Sequence, residues 1–135
     1  MAVASDLVSQ SHHLQSAVVV REGAPQSDPI MVEKFLRGTL KGFLYARENR
    51  SGTIPILARV QNIKEDLAAR TYDVSRPAMT PDGTVSDELL KRTLDQTVQR
   101  LGLKDAPLSF LKVFDYSLTR KIRADLEAQG WKPKD

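Results

Sequence analysis

A chain of 135 residues and 15.1 kDa, 41% hydrophobic and 27% charged, has the length and make-up of one globular domain and excludes disordered, collagen-like and membrane-spanning classes. Twenty Lys and Arg against 17 Asp and Glu leave a formal charge of +3, and the two signs alternate along most segments, which argues against a nucleic-acid binder. The absence of cysteine excludes disulfides, thiolate metal sites and cysteine nucleophiles, and leaves the compartment open.

Residues 1–15 are small and polar without a sustained period, and predict a loop or frayed end. Met1 to Leu7 lack the basic stretch, apolar run and small-residue cleavage site expected of an export signal. The longest apolar run, Ala17 to Val20, is far shorter than the roughly 20 residues that cross a bilayer. Residues 16–21 form a β-branched run closed by Gly23 and Pro25, which predicts a strand. Because Val18, Val19 and Val20 are consecutive, both faces of that strand are expected to be buried and its ladder groups to need a partner.

Ser27-Asp28-Pro29 reads as a helix start, with Glu33 in the first turn. Val32, Phe35, Leu36, Thr39, Leu40, Phe43 and Leu44 form its apolar stripe to near Asn49, with Lys34, Arg37, Lys41, Arg47 and Glu48 opposite. Gly38 and Gly42 suggest close approach of a neighbouring element. After a turn at Arg50-Ser51-Gly52, Thr53 is expected to cap a short helix carrying Ile54, Ile56, Leu57 and Val60, with Pro55 in its first turn. Asn62 is expected to cap the next, lined by Ile63, Leu67, Thr71 and Val74 and ended by Arg76-Pro77, so that the two helices form a hairpin. Thr80-Pro81-Asp82-Gly83-Thr84 is a turn signal. Ser86 opens a helix with Leu90, Leu94, Thr97, Val98 and Leu101 buried and Gly102 as its stop. A loop over residues 104–109 leads to the apolar Phe110, Leu111, Val113 and Phe114. Asp115 then caps a last helix bearing Leu118, Ile122 and Leu126, ended by Gly130 before Trp131.

Chemical constellations are sparse. His12 and His13 are adjacent, but no carboxylate or further histidine stands at ligand spacing, so a polar loop is the better reading. None of the seven glycines makes a phosphate loop, and no activated nucleophile is visible. The amides at Ser27-Asp28-Pro29 could meet an anion, but Asp28 itself fills that role as a cap. Arg120-Lys121-Ile122-Arg123 reads as a solvated helix face, interrupted by Asp125 and Glu127.

The order of these motifs is more specific than any one of them. The apolar run at 16–21 precedes Val32-Glu33-Lys34-Phe35-Leu36-Arg37 and Lys41-Gly42-Phe43-Leu44-Tyr45-Ala46-Arg47-Glu48-Asn49. Arg76-Pro77-Ala78-Met79-Thr80-Pro81-Asp82-Gly83-Thr84-Val85-Ser86 and Phe114-Asp115-Tyr116-Ser117-Leu118 follow. This order, over about residues 4 to 131, resembles the C-terminal portion of ABC-transporter solute-binding proteins of the nitrate/sulfonate/bicarbonate and thiamine-pyrimidine-precursor type. Such proteins are two-lobed and much longer, and most of their ligand contacts lie in parts that this chain lacks.

The resemblance implies a mainly helical α+β unit, part of a type II periplasmic-binding-protein lobe with one hinge-like strand and about five helices, in a single domain over residues 1–135. It implies a non-enzymatic solute-binding component, or a remnant of one, for a small anion or sulfonate such as nitrate, taurine or an alkanesulfonate. A transporter permease and a periplasmic setting come with it. Ser16, Arg21 and Glu22 are the ligand-facing polar groups that it suggests, with no metal and no cofactor. The bare strand edge predicts a homodimer or domain-swapped dimer through residues 16–22. The alternative is a small helical self-association or protein-interaction module with no small-molecule ligand. An enzyme of pyrimidine-precursor metabolism ranks last, because such relatives need histidine and cysteines in the part absent here.

Overall fold

Three of the helices begin where a side-chain oxygen, of Asp28, Asn49 or Ser86, meets a free backbone amide. The computed structural model describes residues 17–21, 23–103 and 113–133. A single turn, α1 (Ala24–Ser27), leads into the longest element, α2 (Pro29–Glu48). Asp28 caps α2 by accepting from the Met31 amide at 3.0 Å, and Pro29 sits at the first position, where its missing N–H leaves no bond unmade. Glu33 lies beyond the first turn and instead accepts from Arg37, one turn on, at 2.9 Å. Arg37 also donates to Asp125 at 3.0 Å, which ties α2 to the last helix.

The next helix, α3 (Arg50–Gln61), starts earlier than Thr53, because Asn49 caps it. The Asn49 Oδ1 accepts from the Gly52 amide at 2.7 Å and from the Ser51 hydroxyl at 3.1 Å, so the expected turn at 50–52 is the helix's first turn. Pro55 therefore falls inside the helix. Asn62 ends α3 in the left-handed region, φ 52°, rather than starting the following helix. That helix, α4 (Glu65–Ser75), carries Glu65 and Asp66 in its first turn, where the helix dipole favours them, and runs into a 3-10 turn at Arg76–Ala78.

Ser86 caps α5 (Asp87–Leu101) through the Leu89 amide at 3.2 Å, and Gly102 stops it with φ 67°. In α6 (Ser117–Ala128), Asp115 accepts from the Ser117 amide at 2.8 Å. The helix closes when Trp131 donates to the Leu126 carbonyl and Gly130 to Glu127, the paired bonds of a Schellman end.

Two apolar clusters hold these helices. In the first, Leu40 and Leu44 of α2 meet Ile122 and Leu126 of α6, flanked by Leu36, Phe43, Leu118 and Trp131. In the second, Ile54 and Ala58 of α3 meet Ala68 and Tyr72 of α4, which confirms the expected hairpin. Polar bonds link the two: the Arg47 carbonyl, at the end of α2, accepts from Tyr72 Oη at 3.0 Å and Arg76 Nε at 3.3 Å. Arg50 grips Asp73 through two bonds of 2.8 Å. In α5, Leu90 and Leu94 are buried.

The structure corrects the α+β expectation. Among the described residues there is no strand and no sheet, only six α-helices and the 3-10 turn. Val18, Val19 and Val20 are solvent-exposed. The β-branched preference of these residues measures fit to a pleated, half-buried surface, and no such surface stands beside them. The type II lobe, its hinge strand and a dimer paired through residues 16–22 are overturned together. Several expected core positions are also exposed, namely Phe35, Thr39, Leu67, Val74 and Leu101, because the buried stripes are narrower than the apolar ones. Residues 104–112, with Phe110 and Leu111, lie outside the described residues.

Ile122 has no exposed surface, so Ile122→Ala should lower unfolding free energy by about 2–5 kcal/mol in urea denaturation, against about 0.5 kcal/mol or less for exposed Leu101→Ala. A second expectation concerns acid. The hydrogen bonds from Arg50 hold the Asp73 carboxyl below its ordinary value. The stability this pair contributes is present above the ordinary carboxylate range and is lost as pH falls through the lowered value of the folded state. The urea midpoints of the wild type and Asp73→Asn should differ near neutral pH and converge in acid; a constant gap would contradict the assignment.

Candidate interaction face

One face of α2 has no neighbour among the described residues. Met31, Phe35, Gly38 and Gly42 follow one another at spacings of four, three and four, the period of a helix seam. They lie on the side of α2 opposite Leu36, Leu40 and Leu44, and all four are exposed; Met31 is 50% and Phe35 55% accessible. A methyl group built on Gly38 or Gly42 meets nothing described within 4 Å. The expected close neighbour at these glycines is therefore not found. At the N-terminal end of the seam, Asp28, Ile30, Met31, Lys34 and Phe35 border a shallow hollow.

Two cations flank this seam on one side, Lys34 and, one heptad on, Lys41. Lys34 is exposed, and Lys41 is half-buried with its Nζ 5.6 Å from the centre of the Trp131 ring. Sequence reading assigned Phe35 to the core and saw the lysines as plain solvated surface. The signal that locates this face is in the sequence, since a phenylalanine and two glycines at helix-seam spacing form a second stripe beside the buried one.

A second concavity, about 310 Å³, lies where α2 and α6 end, with Leu44, Pro81, Leu126 and Trp131 among its walls. Of the charges at its edge, Glu48 bonds Arg47 and Arg123 donates to Glu127 at 2.6 Å, while the exposed Lys132 stands beside them.

The residues singled out from sequence are scattered. The exposed Arg21 offers its carbonyl to the Ala24 amide at 2.9 Å, and Ser16, Glu22, His12 and His13 lie outside the described residues. Asp28 is the cap of α2. The basic run of α6 is divided by the fully buried Ile122, with Arg120 3.9 Å from Asp87 and Arg123 bound to Glu127. Groups with shifted protonation have local causes. Arg37 is raised by hydrogen bonds to Glu33 and Asp125, Arg50 by Asp73, and Tyr116 by burial, while Asp115 is lowered by its bonds to Ser117. Among the described residues, no three His, Asp or Glu side chains gather as metal ligands, and no helix is long and apolar enough to cross a membrane.

Comparison of the chain with protein-family models, curated proteins and solved structures finds no match. The resemblance to ABC-transporter solute-binding proteins is thereby corrected: no family model supports it, and the sheet into which its hinge strand would fit is absent from the described residues. The expected nitrate or sulfonate ligand and the permease partner are withdrawn with it, and the periplasmic setting loses the support it drew from it.

Glycine in a helix interior costs about 0.5–1 kcal/mol relative to alanine, and space is open at both seam glycines. Gly38→Ala and Gly42→Ala should each raise the unfolding free energy by about that amount in urea denaturation; destabilisation at either position would reveal a contact that the open face lacks.

Proposed function

We propose that this chain is a non-catalytic protein-interaction module that receives a partner helix along the outward face of α2. One observation carries the reading. The longest helix places two glycines in its interior, at a cost in stability, where no described neighbour requires their small size. Glycines let a second helix backbone come close, and the neighbouring Met31 and Phe35 supply apolar surface for its side chains. Methionine suits such a role because its unbranched chain adapts to different partners.

The test uses a fluorescent 21-residue amphipathic model helix with a leucine seam and glutamine flanks, titrated with the full chain and followed by anisotropy. Gly38→Gln/Gly42→Gln fills the seam with good helix formers, so it should keep the helix content of the wild type and hold or raise its urea midpoint while weakening the peptide roughly tenfold. Unchanged affinity in that variant would sink the reading.

A further inference from the structure

We infer that residues 79–85 form a strap over the α2–α6 core, latched at Gly83, that opens about its two ends while the helices beneath it stay folded. The chain leaves the 3-10 turn at Ala78 and runs back along α2, from Arg47 towards Leu40, before α5 begins at Asp87. Gly83 lies against α2: a methyl group built on it would be 2.8 Å from Leu40 Cδ1 and 3.8 Å from Phe43 Cδ1. Leu40 is 5% exposed and belongs to the core shared with Ile122 and Leu126, so the strap covers part of that core. Pro81, two residues before Gly83, forms one wall of the cleft that holds Trp131.

Little besides packing holds the strap down. Among the described residues, 80–85 make no hydrogen bond outside the strap, and Met79 is held through its carbonyl by Arg47 Nε at 3.4 Å, long for such a bond. The bonds within the strap are tighter: Asp82 accepts from the Thr84 amide and from the Thr84 hydroxyl, both at 2.9 Å. The strap therefore moves as one piece, with hinges at Met79 and Ser86, where the flanking helical elements end and begin. Its closed position requires a left-handed residue at Gly83, φ 78°, which other residues adopt only with strain. Beneath it, Leu44, Ile122 and Leu126 keep α2 on α6, so lifting the strap costs less than unfolding the chain. Opening uncovers Leu40 and Phe43 and takes Pro81 from the wall of the cleft, which joins them to the surface around Trp131.

The chain has no cysteine, so an introduced thiol reports on one place only. Leu40→Cys puts it under the strap, and Ala58→Cys, in the α3–α4 cluster, reports on global unfolding. Each full-length variant is labelled with dithionitrobenzoate over a series of urea concentrations below the unfolding transition. Leu40→Cys should react roughly tenfold faster than Ala58→Cys, with a shallower dependence on urea, because a local opening exposes less surface. Adding Gly83→Ala should speed Leu40→Cys roughly five- to thirtyfold and keep the shallow dependence, since opening relieves the strained dihedral. Because Leu40→Cys leaves a void in the core, Val85→Cys, half-buried on the strap itself, repeats the measurement with little change of volume and should respond to Gly83→Ala in the same way. Equal rates and equal urea slopes at the strap and hairpin sites would show that the strap opens only with the whole fold. Reaction of Leu40→Cys at the rate of a free thiol would show that the strap does not close, and indifference to Gly83→Ala would remove the latch. Each of these three results overturns the inference.

Discussion

The corner at Asn49 joins the longest helix to the α3–α4 hairpin. Asn49 is the one buried polar residue among those described, and a buried amide without partners would cost about 1–3 kcal/mol. Its bonds satisfy that demand by joining two helices. The backbone N–H donates back to Tyr45 at 2.8 Å, the carbonyl accepts forward from Thr53 at 3.0 Å, and the side chain caps α3 through Gly52. A methyl group at position 52 would run into the Tyr45 hydroxyl, which would have to move, and would lie 3.0 Å from Asn49 Nδ2. The bends of Arg76 and Tyr72 onto the Arg47 carbonyl secure the same corner from the α4 side.

From that corner the two halves of α2 diverge in role. One face runs along α6 and is closed by Leu40, Leu44, Ile122 and Leu126, with Arg37 bridging to Asp125 at the far end. The α3–α4 hairpin builds its own cluster beyond the corner and does not return along α2. Among the described residues, nothing covers the outward side of α2. The glycines differ accordingly: Gly52 is crowded by the Tyr45 and Asn49 side chains, whereas Gly38 and Gly42 meet no described neighbour.

Local chemistry made much of the helical frame legible. Asp28-Pro29, Ser86 and Gly102 each act through their own backbone neighbourhood, so those boundaries follow from residue type. The α3 boundaries did not, because Asn49 and Asn62 are chemically able to serve either end of a helix. Which end each serves is decided by tertiary placement, burial for Asn49 and a left-handed turn for Asn62. The valine run at 18–20 misled for a related reason: strand preference is realised only against a sheet, and here none is described. Of the candidate site, the spacing was legible and the exposure was not, since Phe35 differs from the half-buried Leu36 and the buried Leu40 only in the direction of its helix face.

One residue step around α2 thus separates core from candidate docking surface, and the location of a bound helix is the quantity that decides between them. The most direct measurement is paramagnetic broadening from a spin label on the bound leucine-seam peptide, read in the NMR spectrum of the full chain. Broadening at the Met31 methyl and the Gly38 and Gly42 amides, with the Trp131 indole unaffected, is the predicted result. Broadening centred on Trp131, in the cleft between the ends of α2 and α6, would contradict it.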